Sequence, residues 1–288
     1  MTDELYRFTF EHFGVRGEIV VLDASWRAVL ERHDYPPAVG SYLGQALAAA
    51  TLLSGTIKFK GSLILQIQGE GPLRTLVAQA TEQRLIRGMA LASGTVPAGD
   101  LRAAFGEGRI VLTAESSKGD RYQGVVALDG GSLSAVVESY FGQSEQLPTR
   151  IWLAANGERA AGLLLQRLPG DIDGDADGWQ RAALLANTVT DDELLQLSPK
   201  DVLRRLFHEE TLRLYSPEPV AFRCSCSRGR IADTLRTLGP QEIASIIEER
   251  GQVEVACEFC NAKYHFDAVD AAALFADGIV TDSSDTQH

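Results

Sequence analysis

The chain of 288 residues is poor in positive charge, and most of its length has no cysteine. It contains 27 lysine and arginine residues against 39 aspartate and glutamate residues, which gives a formal net charge of -12 at pH 7. Binding to nucleic acid or to anionic lipid usually needs a basic face that neutralises phosphates. The charge balance therefore argues against a nucleic-acid partner and against attachment to a membrane surface.

Long hydrophobic runs are also missing. The longest apolar stretch, residues 43–57, contains Gln45, Thr51 and Ser54 and is too short for a membrane span. The first residues lack the pattern of a secretory signal peptide. Hydrophobic residues nevertheless make up 45% of the chain, as in ordinary folded proteins. We expect a soluble, cytoplasmic protein without a membrane partner, and its length allows about two domains.

Motifs of common enzyme classes are absent from the sequence. It has neither a phosphate-binding loop ending in Gly-Lys-Ser/Thr nor a Gly-x-Ser-x-Gly nucleophile motif. His208 is not followed by the second histidine of a zinc-protease helix, because position 212 is leucine. The acidic loop at 171–177 overlaps residues 173–178, which match the first half of a calcium-binding loop, but Leu184 stands at the twelfth position, where a bidentate glutamate is needed. These absences leave ATP use and those classes of catalytic site without support in the sequence.

The pattern of apolar residues predicts the α+β fold class, with an N-terminal mixed α/β domain at 1–177 that contains antiparallel sheets. Runs of strand-like segments are interrupted by helical ones, unlike the regular alternation of a doubly wound parallel sheet. The predicted strands are 5–10, 17–22, 62–68, 73–80, 85–92, 109–114, 122–128, 150–154 and 161–166. The predicted helices are 25–32, 39–53 and 133–141.

The chain after residue 177 divides into three further parts. Residues 178–220 are predicted to form a helical linker with few good caps and weak amphipathicity, so this segment should need packing partners to stay folded. Residues 221–267 form a small module with cysteines near both ends, and residues 268–288 are predicted to be a fraying C-terminal tail. The predicted helices in these parts are 179–186, 191–197, 199–210, 231–238 and 240–250.

All four cysteines of the chain lie within 37 positions of the small module, at Cys224, Cys226, Cys257 and Cys260. They form two close pairs, Cys-x-Cys and Cys-x-x-Cys, that are separated by 30 residues. Two close pairs from distant positions suit a tetrahedral four-thiolate site, and zinc is the default ion of such a site. In a module too small for a large core, metal binding supplies much of the folding free energy, about 10–16 kcal/mol for structural zinc.

Spacing alone leaves several uses of this site open. The zinc site is either a purely structural element of a binding module or a redox-controlled switch, while two cytosolic disulfides are disfavoured by a reducing compartment. A dithiol oxidoreductase that uses Cys257 and Cys260 is a further alternative, but the pair lacks a thioredoxin-like context. The tight Cys-x-Cys pair favours the switch, because close thiolates can pair as disulfides once the ion leaves.

Several stretches of the sequence form a distinctive combination. At the cysteines these are Phe222-Arg223-Cys224-Ser225-Cys226-Ser227, Leu238-Gly239, Val253-Glu254-Val255-Ala256-Cys257-Glu258-Phe259-Cys260, Tyr264 and Phe266. Elsewhere they are Gly69-Glu70-Gly71-Pro72-Leu73, Tyr140-Phe141-Gly142-Gln143-Ser144-Glu145-Gln146-Leu147-Pro148-Thr149 and Leu206-Phe207-His208-Glu209-Glu210. Together they resemble the bacterial redox-regulated thirty-three-kilodalton heat-shock chaperone family over nearly the whole chain.

The resemblance implies an ATP-independent holdase of the cytoplasm, not an enzyme, that binds unfolding client proteins. It implies that the reduced form is inactive and holds one Zn²⁺ per chain through Cys224, Cys226, Cys257 and Cys260. Oxidation would then form the disulfides Cys224–Cys226 and Cys257–Cys260, with release of zinc, unfolding of the module and loosening of the linker. The active, oxidised form would be a homodimer. Four cysteines allow three pairings, and the residues themselves do not choose among them.

Overall fold

The computed structural model describes residues 3–56, 60–116, 118–169 and 177–276. The chain forms two compact units, Met1–Arg223 and Cys224–His288, each with its own apolar core. Of the acidic loop predicted at 171–177, all but Asp177 lies outside the described residues. Among the helices that are described, none has the length and apolar character needed to cross a bilayer.

In its described residues, the first unit contains twelve strands in two six-stranded sheets. The strands are β1 (Glu4–Phe10), β2 (Val15–Leu22), β3 (Gly61–Gly69), β4 (Leu73–Thr81), β5 (Leu85–Ala92), β6 (Gly108–Ser116), β7 (Arg121–Ala127), β8 (Thr149–Ala155), β9 (Ala160–Arg167), β10 (Leu212–Leu214), β11 (Glu218–Pro219) and β12 (Ala221–Phe222). The first sheet has the order β10-β1-β2-β9-β8, with β11 also paired to β1, and the second has the order β12-β5-β4-β3-β6-β7. The predicted fold class is confirmed, and all nine predicted strands are present with ends within two residues.

Seven helices accompany these sheets in the part of the first unit that the structure describes. They are α1 (Ala24–Leu30), α2 (Pro37–Thr56), α3 (Leu101–Phe105), α4 (Leu133–Tyr140), α5 (Gly178–Ala186), α6 (Asp191–Gln196) and α7 (Pro199–Phe207), and a π-helical turn at Phe141–Glu145 follows α4. Helix α2 contacts strands of both sheets and is buried on nearly every side, which explains why it is apolar all round. Gly44 permits this contact, since a Cβ atom there would lie 2.6 Å from the Cβ atom of Ala155.

Helices α5 to α7 pack on the first sheet, so the residues predicted as a linker belong to the core of the first unit. Helix α7 buries Val202, Leu203, Leu206 and Phe207 on one face. The side chain of Thr190 caps α6 in a reciprocal capping box, and Ser198 caps α7. The expectation of few good caps and weak amphipathicity is therefore wrong, although the division of the chain at 177, 220 and 267 remains a prediction.

As far as residue 276, the second unit is a two-stranded hairpin with three helices. Its elements are α8 (Arg228–Leu238), α9 (Pro240–Arg250), β13 (Val253–Ala256), β14 (Lys263–Phe266) and α10 (Ala268–Ala276). The core of this unit has seven buried apolar residues, Ala232, Leu235, Ile243, Val253, Phe266, Ala271 and Leu274. Two of these, Ala271 and Leu274, lie on α10, so the expected fraying from residue 268 is wrong as far as residue 276.

Candidate metal centre

The four cysteine sulfurs of the second unit lie together. All four Sγ atoms are within 4.8 Å of one another, and the structure holds the four residues as free cysteines. Cys224 Sγ is 3.7 Å from Cys257 Sγ, and Cys226 Sγ is 3.3 Å from Cys260 Sγ. In a tetrahedral site with Zn–S bonds of about 2.3 Å, neighbouring sulfurs are about 3.8 Å apart. The donor set and its spacing therefore fit one tetrahedral ion.

The first cysteine pair lies in a loop that ends at the N-terminus of α8. Ser227 is the N-cap of this helix, and its hydroxyl accepts a hydrogen bond from the amide of Arg230 at 3.3 Å. The guanidinium of Arg230 turns back and donates to the carbonyl oxygen of Ser225 at 3.0 Å and to its hydroxyl at 2.7 Å. These bonds fix the residue between Cys224 and Cys226, so both thiols are directed from one rigid loop.

The second cysteine pair occupies the tight turn of the hairpin between β13 and β14. The amide of Cys257 donates to the carbonyl of Ala262 at 2.9 Å, and the amide of Asn261 donates to the carbonyl of Cys257 at 2.7 Å. Asn261 has a φ of 56°, the left-handed conformation that asparagine tolerates better than most residues. The turn thereby places the thiols of Cys257 and Cys260 on the side where the first pair lies.

Arg228 connects the first cysteine loop to the hairpin. Its Nη1 atom donates to the carbonyl of His265 at 2.6 Å, and its Nη2 atom lies 2.7 Å from a carboxylate oxygen of Asp270. Its guanidinium carbon lies 4.2 Å from the centre of the Phe266 ring, within the range of a cation–π interaction. The sequence offered no signal for this role, since it depends on the tertiary fold.

Tyr264 provides a hydrogen bond to the cluster itself. Its hydroxyl donates to Cys226 Sγ at 3.1 Å, and this bond is the largest of the effects that raise the pKa of Tyr264 to about 12. Burial raises the pKa of the Cys260 thiol as well, and hydrogen bonds with the other three cysteines add to the effect. Four thiolates in so small a volume would repel one another, and a divalent cation between them offsets that repulsion.

His208 and His265 lie outside the four-cysteine cluster. The side chain of His208 is exposed in the first unit, next to Glu209. His265 is half exposed on β14, with Nδ1 3.5 Å from a carboxylate oxygen of Glu254. Among the described residues, the four cysteines form the one group of three or more side chains spaced to hold a metal.

The fold and the site define an α+β protein whose smaller unit carries four cysteines spaced to bind a metal ion. The sequence model of the Hsp33 protein family matches residues 3–267. A 33 kDa chaperonin of Nitrosococcus oceani is 54% identical over 286 residues, covering 99% of each chain. That of Methylobacillus flagellatus is 44% identical over 291 residues, covering 100% of this chain and 99% of the relative.

A solved structure agrees with this relationship at the level of the fold. The crystal structure of the 33 kDa chaperonin from Thermotoga maritima superposes with a TM-score of 0.84, at 23% identity, and covers 96% of this chain and 99% of its own. This chain belongs to the Hsp33 family of chaperones, which confirms the resemblance that the sequence indicated.

Proposed function

We propose that this protein is a redox-regulated, ATP-independent holdase of the cytoplasm. In the reduced state one Zn²⁺ is bound by Cys224, Cys226, Cys257 and Cys260, and the chaperone is inactive. The observation that carries the proposal is the clustering of four sulfurs in a unit with only seven buried apolar residues among those described. Such a unit depends on its metal for much of its folding free energy.

Oxidation removes the ligands and with them the cross-link of the small unit. Two thiolates lose two electrons as each disulfide forms, and a two-electron oxidant such as hypochlorous acid accepts them and becomes chloride and hydroxide, which takes a proton from the solvent to form water. A sulfur that has entered a disulfide is no longer a thiolate ligand, so zinc is released and the small unit unfolds. Residues 178–220, which precede the small unit in the chain, then loosen, because they lead into Cys224 within a few residues. Apolar surface thereby becomes available to unfolding client proteins.

The disulfides that we propose are Cys224–Cys226 and Cys257–Cys260, as the resemblance implies. Tryptic mapping of the oxidised chain tests this pairing, since cleavage after Arg223, Arg228 and Lys263 leaves each close pair within one peptide. Disulfides within the pairs leave these two peptides separate. Either pairing across the site, Cys224–Cys257 with Cys226–Cys260 or Cys224–Cys260 with Cys226–Cys257, would link them and would overturn the assignment.

The activity is tested by following zinc and aggregation together. Reduced protein is treated with hypochlorous acid, zinc release is measured with a chromogenic chelator, and suppression of citrate synthase aggregation is measured in the same samples. We expect zinc release and suppression to rise in parallel and to be reversed by dithiothreitol. Zinc retained under oxidant would favour a structural zinc site in a binding module, and turnover of a disulfide substrate with zinc bound would favour an oxidoreductase.

The active form is proposed to be a homodimer. Sedimentation velocity of the reduced and oxidised chains tests this directly. We expect the sedimentation coefficient of the oxidised protein to correspond to a species with the mass of two chains. An oxidised, active sample that sediments as a monomer would contradict this part of the proposal.

A further inference from the structure

One short segment of the chain, residues 212–222, closes an edge of both sheets in the first unit. Strands β10 and β11 pair antiparallel with β1, and β12 pairs parallel with β5. The segment ends two residues before Cys224, the first residue of the metal centre. Its strands have only three, two and two residues, far shorter than the seven- and eight-residue strands against which they lie.

The segment is held to the two edges by its own backbone amides. The bonds are Tyr215 N to Arg7 O at 2.9 Å, Val220 N to Asp3 O at 2.9 Å, Ala221 N to Arg84 O at 3.1 Å and Arg223 N to Ile86 O at 3.0 Å. Backbone bonds of this kind do not depend on side-chain identity, so any extended polypeptide can make them.

Three side chains of the segment add a pattern to the backbone bonds. Glu218 pairs with Arg7 at 2.5 Å and with Arg84 at 2.9 Å. Val220 is buried in the larger core. The guanidinium carbon of Arg32 lies 4.3 Å from the centre of the Phe222 ring. A carboxylate followed by apolar side chains two and four positions later is therefore accommodated along these edges.

We propose that extended segments of unfolding proteins bind at the edges of β1 and β5 that residues 212–222 cover. Residues 212–222 occupy this site as an internal substitute until the small unit unfolds. This inference rests on the proposed function and names its client surface. The preferred client segment is extended, with a carboxylate followed at the second and fourth positions by apolar or aromatic side chains.

The covalent connection explains why a client does not displace the segment in the reduced chain. A tethered segment competes at an effective concentration of about millimolar, far above the concentration of an unfolding client. When the second unit unfolds, the chain that follows residues 212–222 is no longer folded. The strand residues of the segment are then held only by the backbone bonds and side-chain contacts described above. The two edges consequently become accessible to a chain that offers longer strands.

The binding mode is tested with a fluorescent nonapeptide that has the sequence of residues 215–223. We expect the oxidised full-length chain to bind it at least about tenfold more tightly than the reduced, zinc-loaded chain does. The matched control is the same peptide methylated at the amide nitrogens equivalent to Ala221 and Arg223, which keeps every side chain and removes two donors. We expect methylation to weaken binding by about tenfold or more. Equal binding of both peptides would overturn backbone pairing.

The place of binding is tested by hydrogen exchange with the nonapeptide or with unfolded citrate synthase present. We expect the oxidised chain to gain protection in β1 and β5. Strand β7, at the opposite end of the second sheet from β12, serves as the internal control and should be unchanged. Protection that appears at β7, or in neither β1 nor β5, would overturn the proposal.

A variant separates this inference from the redox mechanism. Replacing Val220 and Phe222 by serine, in V220S/F222S, weakens the docked segment without touching a cysteine. We expect the reduced variant to keep its zinc, to bind the nonapeptide and to suppress aggregation without oxidant, with unchanged tryptophan fluorescence as the control for folding. If wild-type protein is activated by oxidant while β1 and β5 stay unprotected, this inference fails and the proposed function stands. If oxidant neither releases zinc nor activates the protein but the reduced variant binds the nonapeptide at β1 and β5, the proposed function fails and the assignment of the binding site stands.

Discussion

The Nε atom of Arg84 lies 2.9 Å from Oε2 of Glu218, so a buried cation of the first unit is paired with a carboxylate from the segment that precedes the cysteines. Arg84 also donates from Nη1 to the hydroxyl of Ser54 at 3.0 Å, while the other oxygen of Glu218 lies 2.5 Å from Arg7. The pair joins a residue of the rigid core to a segment that we propose to be released. Its loss would leave Arg84 with a positive charge that water does not reach.

We expect Glu218→Gln to loosen residues 212–222. The amide keeps the shape of the side chain but not its charge, and the loss of a charge-assisted hydrogen bond costs about 1.5–3 kcal/mol. The measurement is hydrogen exchange of the reduced protein, in which the amides of Val220 and Ala221 should exchange about 10-fold or more faster. The control is Glu209→Gln, which alters an exposed carboxylate. Unchanged exchange in Glu218→Gln would show that the ion pair does not hold the segment.

The long elements of the fold could be predicted from sequence because their information is local. Strand-like runs of apolar residues predicted β1 to β9, and the predicted helix at 133–141 matches α4 to within one residue. Strands β10 to β12 were missed, because each has at most three residues and their partners lie more than 130 positions away in the chain. Pro217 and Pro219 also favour an interpretation of that segment as a break between elements.

The candidate metal centre could be predicted because cysteine is rare in this chain and its spacing is informative. The contacts that organise the centre could not be predicted in the same way. The hydrogen bond from Tyr264 to Cys226 and the three contacts of Arg228 each join residues 37 or more positions apart, and only the packed fold sets their distances. The burial of Glu18 in β2 was missed as well, since a single charged residue does not interrupt a strand pattern.

We expect Cys224→Ser to weaken zinc binding and to destabilise the second unit, because a serine hydroxyl does not replace a thiolate ligand. The measurements are zinc content per chain and trypsin sensitivity of α8 and α9. The first unit should stay folded, and tryptophan fluorescence reports on it specifically because Trp26, Trp152 and Trp179 all lie there. Glu258→Gln, at an exposed position between Cys257 and Cys260, is the matched control and should retain one zinc. Unchanged affinity in Cys224→Ser would contradict the four-ligand assignment.

We expect Tyr264→Phe to lower zinc affinity while the ion is still bound. The change removes the hydroxyl that donates to Cys226 Sγ and leaves the ring in place. Groups that orient metal ligands typically contribute a factor of about 10–100 in affinity. Competition with a chromogenic chelator measures the effect, and Tyr122→Phe, at an exposed position of the first unit, is the control. An affinity equal to that of the wild type would mean that this hydrogen bond does not support the site.

We expect Glu18→Gln to remove a pH dependence of stability from the first unit. Glu18 is 2% exposed, and burial raises its pKa from 4.5 to about 8, although Arg16, Arg84 and Arg7 act in the opposite direction. The folded chain therefore holds a proton that the unfolded chain releases. Stability from this group is complete below about pH 4.5 and is lost as the pH rises towards 8, by about 1.4 kcal/mol per pH unit.

Urea unfolding of the reduced protein, followed by tryptophan fluorescence between about pH 5 and pH 8, measures this slope. Glutamine stays neutral throughout, so the free energy of unfolding of Glu18→Gln should vary less with pH, and the variant should be the more stable protein near pH 8. The matched control is Glu115→Gln, at an exposed position of β6, which should keep the wild-type slope. If the free energy of unfolding varies with pH equally in Glu18→Gln and in the wild type, deprotonation of Glu18 does not destabilise the fold. The Glu18 carboxyl then ionises without destabilising the folded chain.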